Sequence, residues 1–413
     1  MNCDVMVLGA GMIGICTAVH LQKRGRAVIL VDRRGAAEDT SYGNAGLIQR
    51  EGVYPYGFPH DFGALLRYGL NRTIDAHYHP TALPHLAPFL WQYWHHSRPA
   101  RHAEVARRYA PLIEQCVREH DALAAEAGAQ GFIRRTGWIK AFRTERERDK
   151  RFAEAERWRR EFGIGFRALD AGTLREMEPH VAPVLSGGIH WTDPTSADDP
   201  QGLARAYLAL FERLGGRFLQ ANALGLAHDA GRWRLGEMQA GAAVIALGPW
   251  AEDLTHRLGY RFPLAVKRGY HMHYRAAGEA QLNHPLLDTE RGYFLAPMRR
   301  GIRLTTGAEF ALRDGMKTPV QLDRAEPIAR ELFPLAERLD PEPWMGSRPC
   351  TPDMLPVIGA APRHRGLWFA FGHAHHGFTL GPATGRLVGE LIVGEEPFVD
   401  PAPFAPGRLE RST

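Results

Sequence analysis

The chain is short of lysine, of cysteine and of long apolar runs, and each shortage removes a class of function. Only five of the 51 basic residues are lysine, at positions 23, 140, 150, 267 and 317, so the net charge of +5 rests on 46 arginines. The basic residues are dispersed among acids, as in Glu145-Arg146-Glu147-Arg148. That pattern describes a solvated surface, not a polyanion-binding patch, and excludes nucleic acid as a partner. The four cysteines, Cys3, Cys16, Cys116 and Cys350, are scattered and form no C-x-x-C pair. This argues against zinc, an iron–sulfur cluster and a disulfide scaffold, and leaves buried thiols. No run approaches the ~20 apolar residues that span a bilayer. The first strand follows Met1 directly, with no basic n-region or cleavage site, so no secretory signal is expected and the location reads as cytoplasmic. Repeats and low-complexity segments are missing too. At 413 residues, 45% hydrophobic and 23% charged, the chain has the composition of a soluble globular protein and the length of two domains.

What is present starts at the N-terminus. Val5 to Leu8 reads as a strand, Ile15 to Gln22 as a helix stopped at Gly25, and Ala27 to Val31 as a second strand ending at Asp32. Between strand and helix lies Gly9-Ala10-Gly11-Met12-Ile13-Gly14. Gly9 allows the tight turn, Gly11 lets backbone approach a pyrophosphate, and Gly14 lets the helix pack closely on the sheet. Unpaired N–H groups at the helix start favour an anion. Asp32 can accept hydrogen bonds from ribose hydroxyls. The pattern predicts a dinucleotide site.

Gly35 to Pro99 has no clean periodicity and reads as a functional loop region. One stretch within it, Leu86 to Trp94, forms an apolar-aromatic face beside His95-His96 and Arg98. It suits core packing or a lid over the site, with a membrane interface as the alternative. A single helix is expected between Pro99 and Gly128, from apolar residues recurring from Val105 to Ala124. Gly137 to Phe142 and Gly187 to Trp191 read as strands, Glu145 to Phe162 as a charged helix, and Asp199-Pro200 as the start of a helix ending at Gly215-Gly216. Ala223 to Ala227 and Arg232 to Leu235 suggest a hairpin, and Ala242 to Leu247 a buried strand. Tyr270 to Tyr274, Tyr293 to Ala296 and Ile302 to Thr306 fit an antiparallel sheet. Leu367 to Phe371 and a helix from Pro382 to Ile392 return to strand-loop-helix character.

Thr40 to Gly46, Ala246-Leu247-Gly248-Pro249-Trp250, Gly346 to Asp353 and Gly372 to Gly385 follow the fingerprint in fixed order. With these landmarks the chain resembles, over nearly its whole length, the FAD-dependent amino-acid oxidoreductases of the D-amino-acid oxidase and glycine oxidase superfamily. Within that superfamily the bacterial D-amino-acid dehydrogenase branch is most similar. The fold implied is α/β with an α+β insert: a discontinuous Rossmann-like FAD domain (1–60, 134–142, 187–258 and 346–413) and an antiparallel-sheet substrate domain (61–133, 143–186 and 259–345). The resemblance implies noncovalent FAD, with Asp32 and Arg33 as cofactor-binding residues beside the fingerprint. Ser41, Asn44, Ala45 and Gly46 would wrap the flavin. Ala246, Gly248 and Trp250 would approach the adenosine half, and Gly372, His373, His376, Gly377, Phe378 and Thr379 would present backbone to the flavin ring. His373, His375 and His376 lack a nearby acid or cysteine cluster, so no metal is expected.

The resemblance also makes Arg348 the carboxylate anchor of an amino acid, its rigid fork suited to bidentate binding. A salt bridge elsewhere is the competing role. Tyr270, Tyr293 and Tyr54, with Tyr56 and His60 near the last, are further candidates that core packing would explain equally. The activity implied is oxidation of the Cα–N bond of a D-amino acid to an imine that hydrolyses to keto acid and ammonia. The alternatives are a secondary amine (proline or hydroxyproline, sarcosine or an opine) and a flavin-binding subunit of a larger electron-transfer assembly. The electron acceptor, a quinone of the respiratory chain or O2, stays open, as does peripheral contact with the inner face of the membrane.

Overall fold

Two large sheets organise the residues that this computed structural model describes, 1–409. The first grows from the N-terminal strand Asn2–Leu8, which pairs in parallel with Val28–Asp32 on one side and Met238–Ile245 on the other. Arg217–Gln220 extends it beyond Val28–Asp32. Met238–Ile245 shares its outer edge between antiparallel Arg232–Leu235 and parallel Leu367–Phe371. The central strands are nearly continuous apolar runs, as covering on both faces requires. Helix Met12–Lys23 lies on one face, packed against Pro200–Arg213 and Gly381–Val393. A Cβ on Gly385 would fall 2.5 Å from the Cys16 carbonyl carbon, and one on Gly381 2.4 Å from Met12 Cγ. Only glycine lets these helices approach so closely, and their N-termini are thereby brought side by side.

The second sheet runs in the order Ala76–Tyr78, Ala308–Phe310, Ala265–Ala276, Gly301–Thr306, Tyr293–Met298, Leu286–Asp288, Trp138–Phe142, Gly187–Trp191 and Phe166–Asp170. Leu335–Arg338 and Trp344–Cys350 also pair with Ala265–Ala276. Most pairings are antiparallel, as the alternating pattern predicts. Helix Val320–Leu332 covers one face, where Tyr270, Met272 and Tyr274 pack with Leu322, Ala325 and Ala329. Residues of opposite parity look towards the first sheet.

Four local expectations are corrected. The helix expected from Pro99 to Gly128 is two, Pro99–Glu114 and Cys116–Ala127. The Gln115 N–H turns back to Leu112 O in a tighter bond, and the chain changes course there. Trp138–Phe142 and Gly187–Trp191, placed by sequence with the cofactor unit, belong to the second sheet, because Trp138 pairs with Trp191 and Leu286–Asp288 closes the other edge. Helix Cys116–Ala127, placed with the substrate unit, packs instead on Gly381–Val393 and Pro200–Arg213. Residues 346–350 lie in the strand that joins Ala265–Ala276.

The aromatic stripe sits on helix Leu83–His96, where Leu86, Phe89 and Tyr93 are buried and Trp91 faces solvent. It packs into the core along that face, and Leu90 and Tyr93 also line the central cavity. Among the described residues no helix is long and apolar enough to cross a membrane. All four cysteines are free and buried.

Candidate active site

A cavity of about 1620 Å³ runs between the two sheets, from the glycine turn to strand Trp344–Cys350. It exceeds the roughly 300–1,000 Å³ of ordinary small-ligand sites, so it has room for a dinucleotide and a second molecule. At the turn, Gly9 holds φ +107°, and a Cβ there would meet Ala246 O at 2.4 Å. A Cβ on Gly14 would lie 1.7 Å from Gly9 O. Gly11 differs: its Cβ would come no closer to protein than 3.4 Å from Ser41 Oγ, so the empty space beside it faces the cavity. The helix that starts there has no side-chain cap and no acid in its first turn. Met12 N–H donates to Ser41 Oγ at 3.0 Å. This is the cradle an anionic pyrophosphate needs.

Asp32 braces the turn: Oδ2 accepts from Ala10 N at 2.7 Å and Oδ1 from Arg34 N at 2.9 Å. Arg33 lies over the Trp250 ring, 4.4 Å from its centroid, and the two form one wall with Ala246 and Gly248. Ile13, Asn44 and Ala45 line the cavity, while Asn44 Oδ1 also accepts from Gly46 N at 2.8 Å. Gly14, Gly46 and Thr379 stand behind the wall. Thr379 Oγ1 donates to Leu47 O at 3.1 Å, tying two wall loops together.

Loop 372–378 closes the flavin end of the predicted site. Gly372 at φ +81° and Ala374 at φ +49° are both left-handed, unusual for alanine, and they aim the short turn Ala374–His376 at the cavity. His373 Nε2 bonds Thr384 Oγ1 at 3.0 Å and His376 Nδ1 bonds Tyr109 OH at 3.0 Å. Burial pushes both imidazoles down to about 3, so both are neutral. His376 Nε2 is buried without a hydrogen-bond partner among the described residues. Gly377 and Phe378 complete this wall.

At the opposite end Arg348 enters from Trp344–Cys350. Its Nη1 donates to Gly307 O at 3.1 Å and Arg268 O at 3.4 Å, and among the described residues no carboxylate pairs with it. Burial lowers its pKa, so its charge is poorly solvated. The guanidinium fits because residue 269 is glycine: a Cβ there would lie 2.5 Å from Nη2. Lys267 and Thr305 share the wall. Tyr56 faces the cavity with its ring centroid 4.6 Å from that of His375.

Of the three tyrosines expected at the site, Tyr54 lies elsewhere, while Tyr270 and Tyr293 border the cavity with their hydroxyls held in contacts of the protein itself. Tyr270 and Tyr293 have the strand parity that faces helix Val320–Leu332. The Tyr270 hydroxyl donates to Glu309 Oε2 at 3.0 Å and accepts from Thr318 N at 2.8 Å, inside the buried Arg268–Glu309 pair. The Tyr293 hydroxyl turns to Ile328 O at 3.5 Å. Tyr54 stacks on Trp158 with centroids 5.2 Å apart, outside the cavity wall.

Sequence reasoning missed Lys267, Gly269 and Thr305, which alternation would have paired had the inward face been known. It also missed Glu51, buried behind Gln49 and Trp138. Their side-chain N–H groups donate to its Oε1 at 2.9 Å each, while its Oε2 has no partner among the described residues. Burial raises this carboxyl to about 7. No sequence motif marks it.

The comparisons with known proteins agree in extent. The profile of the family of FAD dependent oxidoreductases, DAO, matches residues 4–391. A D-amino-acid oxidase of Bradyrhizobium diazoefficiens is 30% identical, with 98% of each chain aligned. A D-amino acid dehydrogenase of Chromohalobacter salexigens is 28% identical over 96% of this chain and 97% of its own length. The crystal structure of glycine oxidase from Geobacillus kaustophilus superposes with a TM-score of 0.76 at 24% identity, covering 100% of this chain and 99% of that one, which shows a common fold. A match that runs from the first strand into the last long helix places this chain in the DAO family of FAD-dependent oxidoreductases, with FAD as its dinucleotide.

Proposed function

We propose that the protein oxidises the Cα–N bond of a D-amino acid to an imino acid, which water hydrolyses to keto acid and ammonia. The observation that carries this is Arg348: a half-buried guanidinium at the far end of the cavity, with no carboxylate among the described residues to pair with. An amino-acid carboxylate supplies the missing charge in bidentate form and fixes one face of Cα towards the cofactor end. Two relatives aligned over nearly the whole chain, a D-amino-acid oxidase and a D-amino acid dehydrogenase, support the D series. FAD, when bound, supplies the two-electron acceptor. The turn Gly9–Gly14 with Ser41 would hold its pyrophosphate noncovalently, and the backbone of Gly372 to Phe378 would border the ring. Neutral His373 and His376 add no positive charge there. On this reading the first sheet carries the cofactor and the second the substrate.

Anaerobic mixing of the purified holoenzyme with D-, L-, cyclic and N-substituted amino acids tests the proposal. Bleaching of the flavin absorbance by the D series supports it; bleaching by L or N-substituted compounds alone overturns it. Arg348→Ala is expected to lower kcat/KM by about 10- to 100-fold, the value of one charged hydrogen-bonded pair, with Arg348→Lys intermediate. Repeating the reaction with O2 and with a quinone identifies the acceptor.

A further inference from the structure

Two cations stand at the substrate end of the cavity, and the α-carboxylate uses only one of them. Lys267 lies directly opposite Arg348 in the antiparallel pairing of Ala265–Ala276 with Trp344–Cys350. Directly opposed residues project from the same face with Cβ atoms about 5 Å apart, and both of these line the cavity. The Lys267 ammonium rests 3.8 Å from the Tyr93 ring centroid and 5.5 Å from that of Phe310. Aromatic faces attract a cation without neutralising it.

Among the described residues, no carboxylate lies within ion-pairing distance of Arg348 or of Lys267. The titratable neighbours of Arg348 are the Tyr56 phenol and the Cys350 thiol, both pushed up from their ordinary values by burial and therefore neutral at pH 7. His375, beside Tyr56, is pushed well down by burial with help from Arg348 and Lys267, and it is neutral as well. Two adjacent cations in one half-buried wall repel each other, a cost that persists until anions arrive.

We propose that the preferred substrate is a dicarboxylate amine, with its α-carboxylate on Arg348 and its second carboxylate on Lys267. This rests on the role given to Arg348 above. A dianion satisfies both cations at once, whereas a neutral substituent leaves the ammonium without an anion. The second carboxylate belongs either to the side chain or to the nitrogen substituent, and the chemistry at Lys267 is the same for both.

The test compares matched pairs on the holoenzyme by flavin reduction: D-aspartate with D-asparagine, D-glutamate with D-glutamine, and iminodiacetate with sarcosine. The acidic member of at least one pair is expected to have a kcat/KM about 10- to 100-fold higher. The pair that shows it locates the second carboxylate. Lys267→Met is expected to abolish the advantage, lowering kcat/KM far more for the acidic member of the pair than for the neutral one, and Lys267→Arg to keep it. Succinate and butyrate, which carry no amine to oxidise, give a readout independent of turnover through the perturbation of the oxidised flavin spectrum. Succinate should bind more tightly to the wild type and no more tightly than butyrate to Lys267→Met. Equal rates within every pair, or a Lys267→Met variant that loses acidic and neutral substrates alike, overturns the inference while leaving the oxidation of D-amino acids intact. Absence of flavin reduction by every amino acid sinks the proposed function instead, and the succinate measurement then still decides whether the two cations form a dianion site.

Discussion

Gly269 has no side chain because the Arg348 guanidinium fills the place where one would project. The obstructing atoms are the far end of a flexible side chain, so Gly269→Ala should fold normally and displace the fork. The expected result is a fall of roughly 100-fold in kcat/KM, the usual consequence of a misplaced anchor, with a thermal midpoint close to wild type. Loss of stability instead would show that Gly269 is needed for the strand itself. Glu51 is the opposite case, a buried acid that costs the fold. Its carboxyl titrates at about 7 in the native state against about 4.3 unfolded, so the folded form holds the extra proton between those values. Stability therefore falls as pH rises through that window, by about 4 kcal/mol once complete. Glu51→Gln keeps an acceptor for Gln49 and Trp138 and should raise the melting temperature at pH 8 while giving little at pH 4. An equal gain at both pH values would rule out the charge as the cause.

At the scale of elements, the strand-turn-helix unit separates two kinds of glycine. Gly14 is fixed by the chain's own packing, since its Cβ would strike Gly9 O, whereas Gly11 faces free space. Gly14→Ala should therefore lower the melting temperature of the apoprotein. Gly11→Ala should leave the apoprotein's melting temperature unchanged but reduce the flavin recovered per chain, because its methyl group occupies the approach to the pyrophosphate. Equal effects of the two substitutions would contradict this division of roles. The same scale shows why Tyr270 and Tyr293 border the cavity with their hydroxyls turned to other partners. Alternation in Ala265–Ala276 is visible in sequence, with Lys267, Gly269, His271 and His273 on one face and Tyr270, Met272 and Tyr274 on the other, but both faces are largely covered, so nothing local says which one meets the cavity. Helix Val320–Leu332 takes the face with Tyr270 and leaves Lys267 and Gly269 for the site.

The whole molecule carries an unusual load of buried neutral histidines. His20, His373 and His376 are pushed down to about 3 and His120 and His273 to about 4, all chiefly by burial. The hydrogen bonds agree with neutrality: His273 Nε2 accepts from Arg303 Nε at 3.0 Å, which leaves Nδ1 to donate to Asp340. In the unfolded chain these rings titrate near 6.5, so below that pH the unfolded state binds more protons and stability falls as the pH falls. With five such groups the slope approaches about 7 kcal/mol per pH unit near pH 5, against a typical total of 5–15 kcal/mol. Acid unfolding is expected at about pH 5, and chemical denaturation at pH 7, 6 and 5 would measure the slope. A stability that stays flat down to pH 4 would contradict the burial of these rings.

By itself the sequence determined the dinucleotide turn and the parallel and antiparallel character of the two sheets. Each of these depends on steric and hydrogen-bonding rules among near neighbours in the chain. Only the tertiary structure decided which strand face meets the cavity, that helix Cys116–Ala127 packs with the cofactor layer, and that Lys267 opposes Arg348. Those facts depend on register and packing between segments far apart in the chain, where one residue of slip moves every side chain to the other face.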